Sequence, residues 1–138
     1  MMLLVKPSLK YKKNYITALK ELLSRSGQPE VLTQEINNFD AHLKEIKNAE
    51  KGIAKTPRSE YWLIDGNKYI GMIQIRHKPM GRYPGIKSHI YYEISPSQRG
   101  KGYGKRILAF GLKKAKKLGL NEVIVSCHDG NFASRRII

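Results

Sequence analysis

The first half of the chain shows one short apolar run followed by two stretches with helical spacing. Residues 3–5 predict a first strand, and Pro7 opens a helix soon after it. Apolar side chains recur on that helix at spacings of three and four: Tyr11, Tyr15, Ala18, Leu19 and Leu22. A second helix follows, and its predicted buried face consists of Ile36, Phe39, Leu43 and Ile46. Residues 51–58 predict a loop before the next strand.

Strand-like runs separated by turn signals fill the middle of the chain. Three strands are predicted there: residues 61–64, 69–75 and 88–95. The dipeptide Asp65-Gly66 joins the first two and is a strong hairpin signal. Residues 80–87 contain two glycines and a proline, which predicts a surface loop. Pro96 ends the third of these strands, since proline removes a backbone donor.

A long amphipathic helix is predicted over residues 102–118. Its inner face is expected to consist of Leu108, Gly111, Leu112, Ala115 and Leu118. Its outer face carries Lys113, Lys114, Lys116 and Lys117. Gly119 suits a left-handed C-terminal cap, residues 122–126 predict a strand, and Asn131 begins a last helical segment. The element order is β-α-α-β-β-β-α-β-α, which is typical of a mixed α+β fold with helices flanking the sheet.

Length and composition indicate one domain over residues 1–138, with no membrane span and no signal peptide. No apolar run reaches the roughly 18 residues that a span requires, so a cytoplasmic location is expected. The single cysteine, Cys127, excludes an internal disulfide framework. The four histidines lack the spacing of metal ligands, so no metal site is expected.

The chain is strongly basic, with 26 Lys and Arg against 11 Asp and Glu, and its net charge is +15. Such a field attracts polyanions, so nucleic acid, an anionic cofactor or an acidic substrate would each suit it. A lysine-rich solubilising surface explains much of the same charge. The local distribution is more informative, because residues 99–118 contain eight basic side chains and no acidic one.

The segment most suggestive of chemistry is residues 94–105, where a strand ends, a glycine-rich turn follows and a helix begins. Gly100, Gly102 and Gly104 let the backbone approach a ligand closely, and the first amides of a helix have no internal partner. These amides and the positive end of the helix dipole form an anion site. A Walker loop is excluded because Arg106 follows Gly104-Lys105, and the glycine spacing departs from a dinucleotide fingerprint.

This turn resembles the signature [Q/R]-x-x-G-x-[G/A] of the GNAT superfamily of N-acetyltransferases. The matching residues are Arg99, Gly100, Lys101, Gly102, Tyr103 and Gly104. The resemblance covers nearly the whole chain and implies a GNAT-like, mostly antiparallel mixed sheet. More narrowly, Ile75-Arg76-His77, His89-Ile90 and the segment 131–138 are similar to a bacterial branch of predicted acetyltransferases.

The resemblance implies acetyl-CoA as the co-substrate and direct acetyl transfer to an amine of a small molecule or peptide. The pyrophosphate would lie on backbone amides of Gly100, Lys101, Gly102, Tyr103, Gly104 and Lys105, beside Arg99. The acetyl and pantetheine groups would contact the backbone of Tyr92, Glu93 and Ile94, and Asn131 matches a family asparagine that contacts the cofactor.

The sequence departs from the family pattern at its usual catalytic positions. Ile138 stands where many members have a tyrosine acid, and Ser126 stands where some have a glutamate base. The family's last strands have no counterpart before residue 138, so we expect them to be missing. An exposed sheet edge would then favour pairing with a second copy, giving a homodimer.

Glu93 is therefore the first candidate for the general base, and His128 is the second. A β-bulge near Ile94 would turn Glu93 toward the acceptor, whereas strict alternation places it opposite Ile94. Other candidates, each equally explicable as a structural residue, are His77, Asp129, Tyr91, Tyr92 and Cys127. Two further functions stay open: an acyl-CoA-binding protein that has lost catalysis, and a basic nucleic-acid-binding module. The nucleic-acid interpretation is weaker because the lysine face lacks interleaved aromatic side chains.

Overall fold

The computed structural model describes residues 2–24, 36–52, 57–83 and 86–125. Its strands are β1 (Met2–Val5), β2 (Arg58–Asp65), β3 (Lys68–Tyr83) and β4 (Ile86–Ile94). Its helices are α1 (Lys12–Leu23), α2 (Phe39–Glu50) and α3 (Tyr103–Lys117). Short 3-10 turns at Leu9–Tyr11 and Pro96–Gln98 precede α1 and follow β4.

The four described strands form one antiparallel sheet in the order β1-β2-β3-β4. Helices cover both faces, because β2 sends apolar side chains alternately to each side. Trp62 and Ile64 pack against α1 and α2, while Tyr61 and Leu63 pack in the core shared with α3. The predicted mixed α+β class is confirmed.

An aromatic cluster fixes α1 on the sheet. The Tyr15 ring stacks on Trp62 with centroids 4.3 Å apart and meets Tyr69 edge-on at 5.2 Å. Phe39 of α2 completes the cluster against Tyr15 and Trp62. Offset and edge-on pairs of this kind add about 0.5–1.5 kcal/mol each beyond their buried area.

A β-bulge lies in β3, beside the end of β4. Leu63 pairs with Gly71 and Ile64 pairs with Tyr69, so Ile70 is the extra residue. The Ile70 carbonyl accepts a hydrogen bond from the Ser95 amide at 2.9 Å. A side chain at Gly71 would collide with the Glu93 carbonyl oxygen, so glycine permits β3 and β4 to approach closely here.

The loop predicted over residues 80–87 is wrong, because β3 continues to Tyr83 and β4 begins at Ile86. Met80 pairs with Ser88 and Tyr83 pairs with Ile86, after a register shift that follows Ile75. Backbone pairing thus includes Gly81 within β3, whereas Pro84 and Gly85 lie outside the described residues.

The inner face of α3 differs from the prediction at three positions. Ile107 is fully buried, whereas Leu112 and Leu118 are 43% exposed. Leu118 is the C-cap beyond the helix, and Leu112 lies about 100° around the axis from buried Gly111. Gly119 has a φ of 89°, which confirms the left-handed conformation expected after the helix.

The fifth strand predicted over residues 122–126 does not form in its described part. Residues 122–125 have no regular secondary structure, although Ile124 contacts β4 at His89. One amide of this contact bonds a histidine ring in place of a backbone carbonyl, so residues 122–125 form no regular ladder with β4. Asn131 and the last predicted helix lie outside the described residues.

The contact between α3 and β3 gives a testable prediction. A Cβ at Gly111 would collide with Cδ1 of Ile73, so Gly111→Val should lower the free energy of unfolding by about 1–3 kcal/mol through overpacking. Helix propensity alone favours this change slightly, so a loss would come from packing. Urea denaturation measures it, with Ala109→Val on the exposed side of α3 as the control. Equal stability of both variants would contradict the packing description.

Candidate functional site

The site is built around the turn that leads from β4 into α3. Pro96–Gln98 forms a 3-10 turn, and Arg99 then takes an extended conformation. Gly100 and Gly102 both have left-handed backbones, with φ of 77° and 82°. Gly102 is the N-cap of α3, so the second left-handed residue aims the chain into the helix.

The N-terminus of α3 has the features of an anion-binding end. No side chain caps its first amides, and its first turn holds no acidic residue. Nothing in the described structure lies within 4 Å of where a Cβ would stand on Gly100 or Gly102. Lys101 and Lys105 are exposed on either side. Open space therefore lies beside uncapped backbone amides, the positive end of the helix dipole and the two lysines. This arrangement suits phosphate oxygens.

Arg99 ties this turn to the end of β4. Its Nε donates to the Ile94 carbonyl at 3.0 Å, and its Nη2 forms an ion pair with Oε1 of Glu93 at 2.7 Å. Oε2 of Glu93 accepts a hydrogen bond from the Tyr91 hydroxyl at 3.0 Å. The guanidinium predicted to lie beside the pyrophosphate thus contacts the protein, and only the backbone of Arg99 continues the turn.

Helix α1 contacts the other side of the same turn through Glu21. Its Oε1 accepts from the Ser97 amide, and its Oε2 lies 3.2 Å from the Ser97 hydroxyl. Sequence reasoning missed this pair, because 76 positions separate the two residues and neither belongs to a motif. Glu21 thereby links α1 to the glycine turn.

A small cavity of about 20 Å³ lies between α1 and the end of β4. It is lined by Tyr15, Ala18, Leu19, Leu22, Tyr69, Glu93, Ser95 and Pro96. The Ser95 hydroxyl is buried there, and no described atom hydrogen-bonds to it. The volume suits roughly one water molecule. The cavity therefore has mainly apolar walls, with Glu93 and the buried Ser95 hydroxyl at the β4 end.

The structure brings some of the predicted catalytic residues together and separates others. Glu93 lines the cavity on the α1 side, whereas Ile94 is buried in the core on the α3 side. The two therefore lie on opposite faces, as strand alternation requires, and the β-bulge near this point lies in β3, not in β4 at Ile94. Tyr92 packs on the α3 side, away from Glu93.

His77 lies too far from the turn to share its chemistry. It is six positions along β3 from Gly71, roughly 20 Å at the usual rise of a strand. Its Nε2 is 3.0 Å from the Ser59 hydroxyl, which is a structural contact. The other candidates, His128, Asp129, Cys127 and Asn131, lie outside the described residues, as do positions 126 and 138. Their assignments stay predictions.

Two side chains with shifted pKa values, Tyr61 and Lys6, lie away from this site. Burial is the main cause that raises the pKa of the Tyr61 phenol, and its ring lies under Lys114 with the ammonium 5.4 Å from the centroid. A hydrogen bond to Glu50 raises the pKa of the Lys6 ammonium. Across residues 2–24, 36–52, 57–83 and 86–125 there is no helix capable of crossing a bilayer and no cluster of three metal-ligating side chains.

Solved structures with a similar fold are acetyltransferases. Glucosamine-6-phosphate N-acetyltransferase from Arabidopsis thaliana is 18% identical, with a TM-score of 0.61 over 99% of this chain and 88% of that one. A GNAT family acetyltransferase from Staphylococcus aureus is 23% identical, with a TM-score of 0.57 over 96% and 89%. A predicted acetyltransferase with acetyl-CoA from Clostridium acetobutylicum is 16% identical, with a TM-score of 0.52 over 99% and 88%.

Sequence comparison gives the family directly. The family model described as the acetyltransferase (GNAT) family matches residues 16–138, which is most of the chain. A comparison with curated proteins finds no significant match. The family match covers most of α1, the helices α2 and α3, the strands β2 to β4 and the glycine turn. The chain therefore belongs to the acetyltransferase (GNAT) family.

Proposed function

We propose that this protein transfers the acetyl group of acetyl-CoA to a primary amine of a small-molecule or peptide acceptor by direct attack. The observation that carries the proposal is the turn before α3, where left-handed Gly100 and Gly102 leave open space beside uncapped helix amides. Family membership supports acetyl transfer as the reaction. The proposal adds acetyl-CoA as the co-substrate and a primary amine as the acceptor.

The residues of the turn fit a pyrophosphate group. Glycine at positions 100 and 102 removes the side chains that would otherwise fill the open space, and the backbone amides through Lys105 can donate to phosphate oxygens. Each interaction with the helix dipole contributes only about 0.3–1 kcal/mol, so several donors and nearby cations are needed. Lys101 and Lys105 provide those cations, and the first turn of α3 has no carboxylate to oppose them.

Acetyl-CoA supplies an activated thioester, so the protein has to position an amine and remove its proton. Glu93 is the proposed base, because it lies at the end of β4 and is one of the residues that line the cavity beside α1. A carboxylate has about four lone-pair sites, and the bonds from Arg99 and Tyr91 use one site on each oxygen. Each oxygen thus retains a site for the amine proton or for a relaying water.

The ion pair also supports a second candidate function, an acyl-CoA-binding protein without turnover. Nη2 of Arg99 lies 2.7 Å from Oε1 of Glu93, the carboxylate that would act as the base. In that case Glu93 only holds Arg99, and Arg99 only holds the turn. Acetyl-CoA would then bind without release of free thiol in the presence of amines. Both functions therefore require the binding of acetyl-CoA, and only the first releases free thiol from it.

Binding at the turn is tested with Gly102→Glu. The new side chain places bulk and negative charge where phosphate would lie, so CoA should no longer raise the melting temperature. For the parent protein, binding at 100 times Kd should stabilise the fold by about 2.7 kcal/mol. Gly52→Glu is the matched control, since Gly52 also has a left-handed backbone, with φ of 80° and open space around it. If Gly102→Glu responds to CoA as the control does, the turn does not bind the pyrophosphate.

The role of Glu93 is tested by comparing Glu93→Gln with Arg99→Gln. Loss of a general base should lower kcat/KM by about 10²–10⁴ and abolish the acidic limb of its pH profile. Arg99→Gln disrupts the same ion pair but leaves the carboxylate, so it should retain that limb. Matching defects in both variants, with the pH profile intact, would show that Glu93 only positions Arg99.

A further inference from the structure

We propose that the outer face of α3 is a docking surface for the phosphate backbone of a nucleic-acid duplex. Four exposed cations make up this basic face: Arg106, Lys113, Lys116 and Lys117. The glycine turn and the amides through Lys105 are not part of it, so the face is separate from the site proposed for acetyl-CoA. The inference therefore goes beyond the proposed function and does not rest on it.

The basic face lies on the side of α3 that points away from the sheet. By the geometry of an α-helix, its four cations fall within an arc of about 100° and extend over roughly 16 Å of the helix axis. The buried positions of the helix are on the opposite side: Ile107, Leu108, Gly111 and Ala115. Because the buried side of α3 packs in the core with β2, β3 and β4, the helix holds its cations toward solvent.

In the described structure no acidic side chain pairs with the basic face. None of its four cations forms an ion pair with a described carboxylate. Residues 99–121 contain no Asp or Glu. A surface that serves only solubility commonly mixes both signs of charge, and α2 does so with these side chains: Asp40, Lys44, Glu45, Lys47 and Glu50. The basic face of α3 therefore differs from an ordinary solvated helix surface.

The helix dipole explains only part of this arrangement. It favours cations in the last turn, where Lys116 and Lys117 lie. Arg106 lies near the N-terminal end, where the same dipole opposes a positive charge. A polyanion along the outside of the helix would attract all four cations, whatever their position on the axis.

The phosphates of a duplex match the length and the chemistry of the basic face. Lysine binds phosphate as a point charge, and phosphate contacts carry no sequence information. A duplex has one negative charge per roughly 1.7 Å of its axis, so about nine phosphate charges lie along the length that the cations cover. Aromatic side chains serve to stack on the unpaired bases of single strands. Their absence from the basic face therefore counts against a single strand and not against a duplex.

Two other anionic partners suit the basic face less well. Binding of a helix to a membrane scales with the apolar area it buries as well as with its charge. The buried apolar residues of α3 are already packed in the core, and Ala109 and Leu112 alone are exposed beside the cations on this helix. Interfaces between proteins are depleted in lysine, whereas the basic face consists mainly of lysines. A phosphate backbone is the partner that requires charge alone.

The test compares two triple variants that remove the same charge. One neutralises the basic face: Lys113→Gln, Lys116→Gln and Lys117→Gln. The control neutralises exposed lysines of α1 and α2: Lys13→Gln, Lys44→Gln and Lys47→Gln. Glutamine has a helix propensity close to that of lysine, so both variants should fold as the parent does. Each variant lowers the net charge of +15 by three, so a difference between them reports the location of the charge.

Fluorescence anisotropy with labelled DNA and RNA duplexes measures the affinity. Between about 50 and 200 mM salt, the affinity of the parent should fall about 10²-fold, which is the loss expected for four phosphate contacts. The control should show the same loss. The basic-face variant should lose only about threefold over this range, because one contact remains. Either duplex with this salt dependence supports the proposal, and saturating CoA should leave the binding unchanged.

The proposal is wrong if the parent binds neither duplex at low salt. It is also wrong if both triple variants reduce the salt dependence equally, because the charge would then act from the whole surface. Displacement of the duplex by CoA would place the phosphates on the glycine turn instead, and binding of the parent to anionic lipid vesicles but not to duplexes would identify a membrane as the partner. Acetyl transfer by the basic-face variant should match the parent. Absence of acetyl transfer by the parent would overturn the proposed function alone.

Discussion

The structure depends on how the chain turns from β4 into α3. Between Ile94 and Tyr103 it must leave the sheet, reverse and start a helix whose first amides face outward. It does so through left-handed backbones at Gly100 and Gly102, where any other residue would cost roughly 1–2 kcal/mol. The turn therefore aims the helix and keeps its N-terminus accessible at the same time.

Contacts with the end of β4 and with α1 hold that turn in place. Arg99 donates to the Ile94 carbonyl and pairs with Glu93, so the strand end and the turn are tied together. From α1, Glu21 accepts from the amide and hydroxyl of Ser97. Exposed ion pairs of this kind contribute little stability individually, about 0–1 kcal/mol, so their main effect is geometric. The helix that lines the cavity and the turn proposed to bind acetyl-CoA are thus parts of one connected unit.

Local signals in the sequence predicted the parts of the fold that depend on few neighbouring residues. The glycine spacing predicted the turn, and Asp65-Gly66 predicted the hairpin that Gly66 makes with φ of 63°. The register of β3 and β4 beyond Ile75 could not be predicted, because it shifts twice, at Met80 and at Tyr83, within a stretch whose glycine content also suits a loop. The site could not be predicted for another reason, because the bonds of Glu21 and His89 join positions far apart in the chain.

The central claim is that the amides of the turn and the start of α3 bind the pyrophosphate of acetyl-CoA. Amide resonances of an isotopically labelled sample, recorded by NMR during titration with CoA, test it residue by residue. The account predicts saturable shifts for Gly100, Gly102 and Gly104, with little change at Gly52 and Gly66, which lie in turns elsewhere. Saturable shifts that spare the turn, or no shifts at millimolar CoA, would contradict the account.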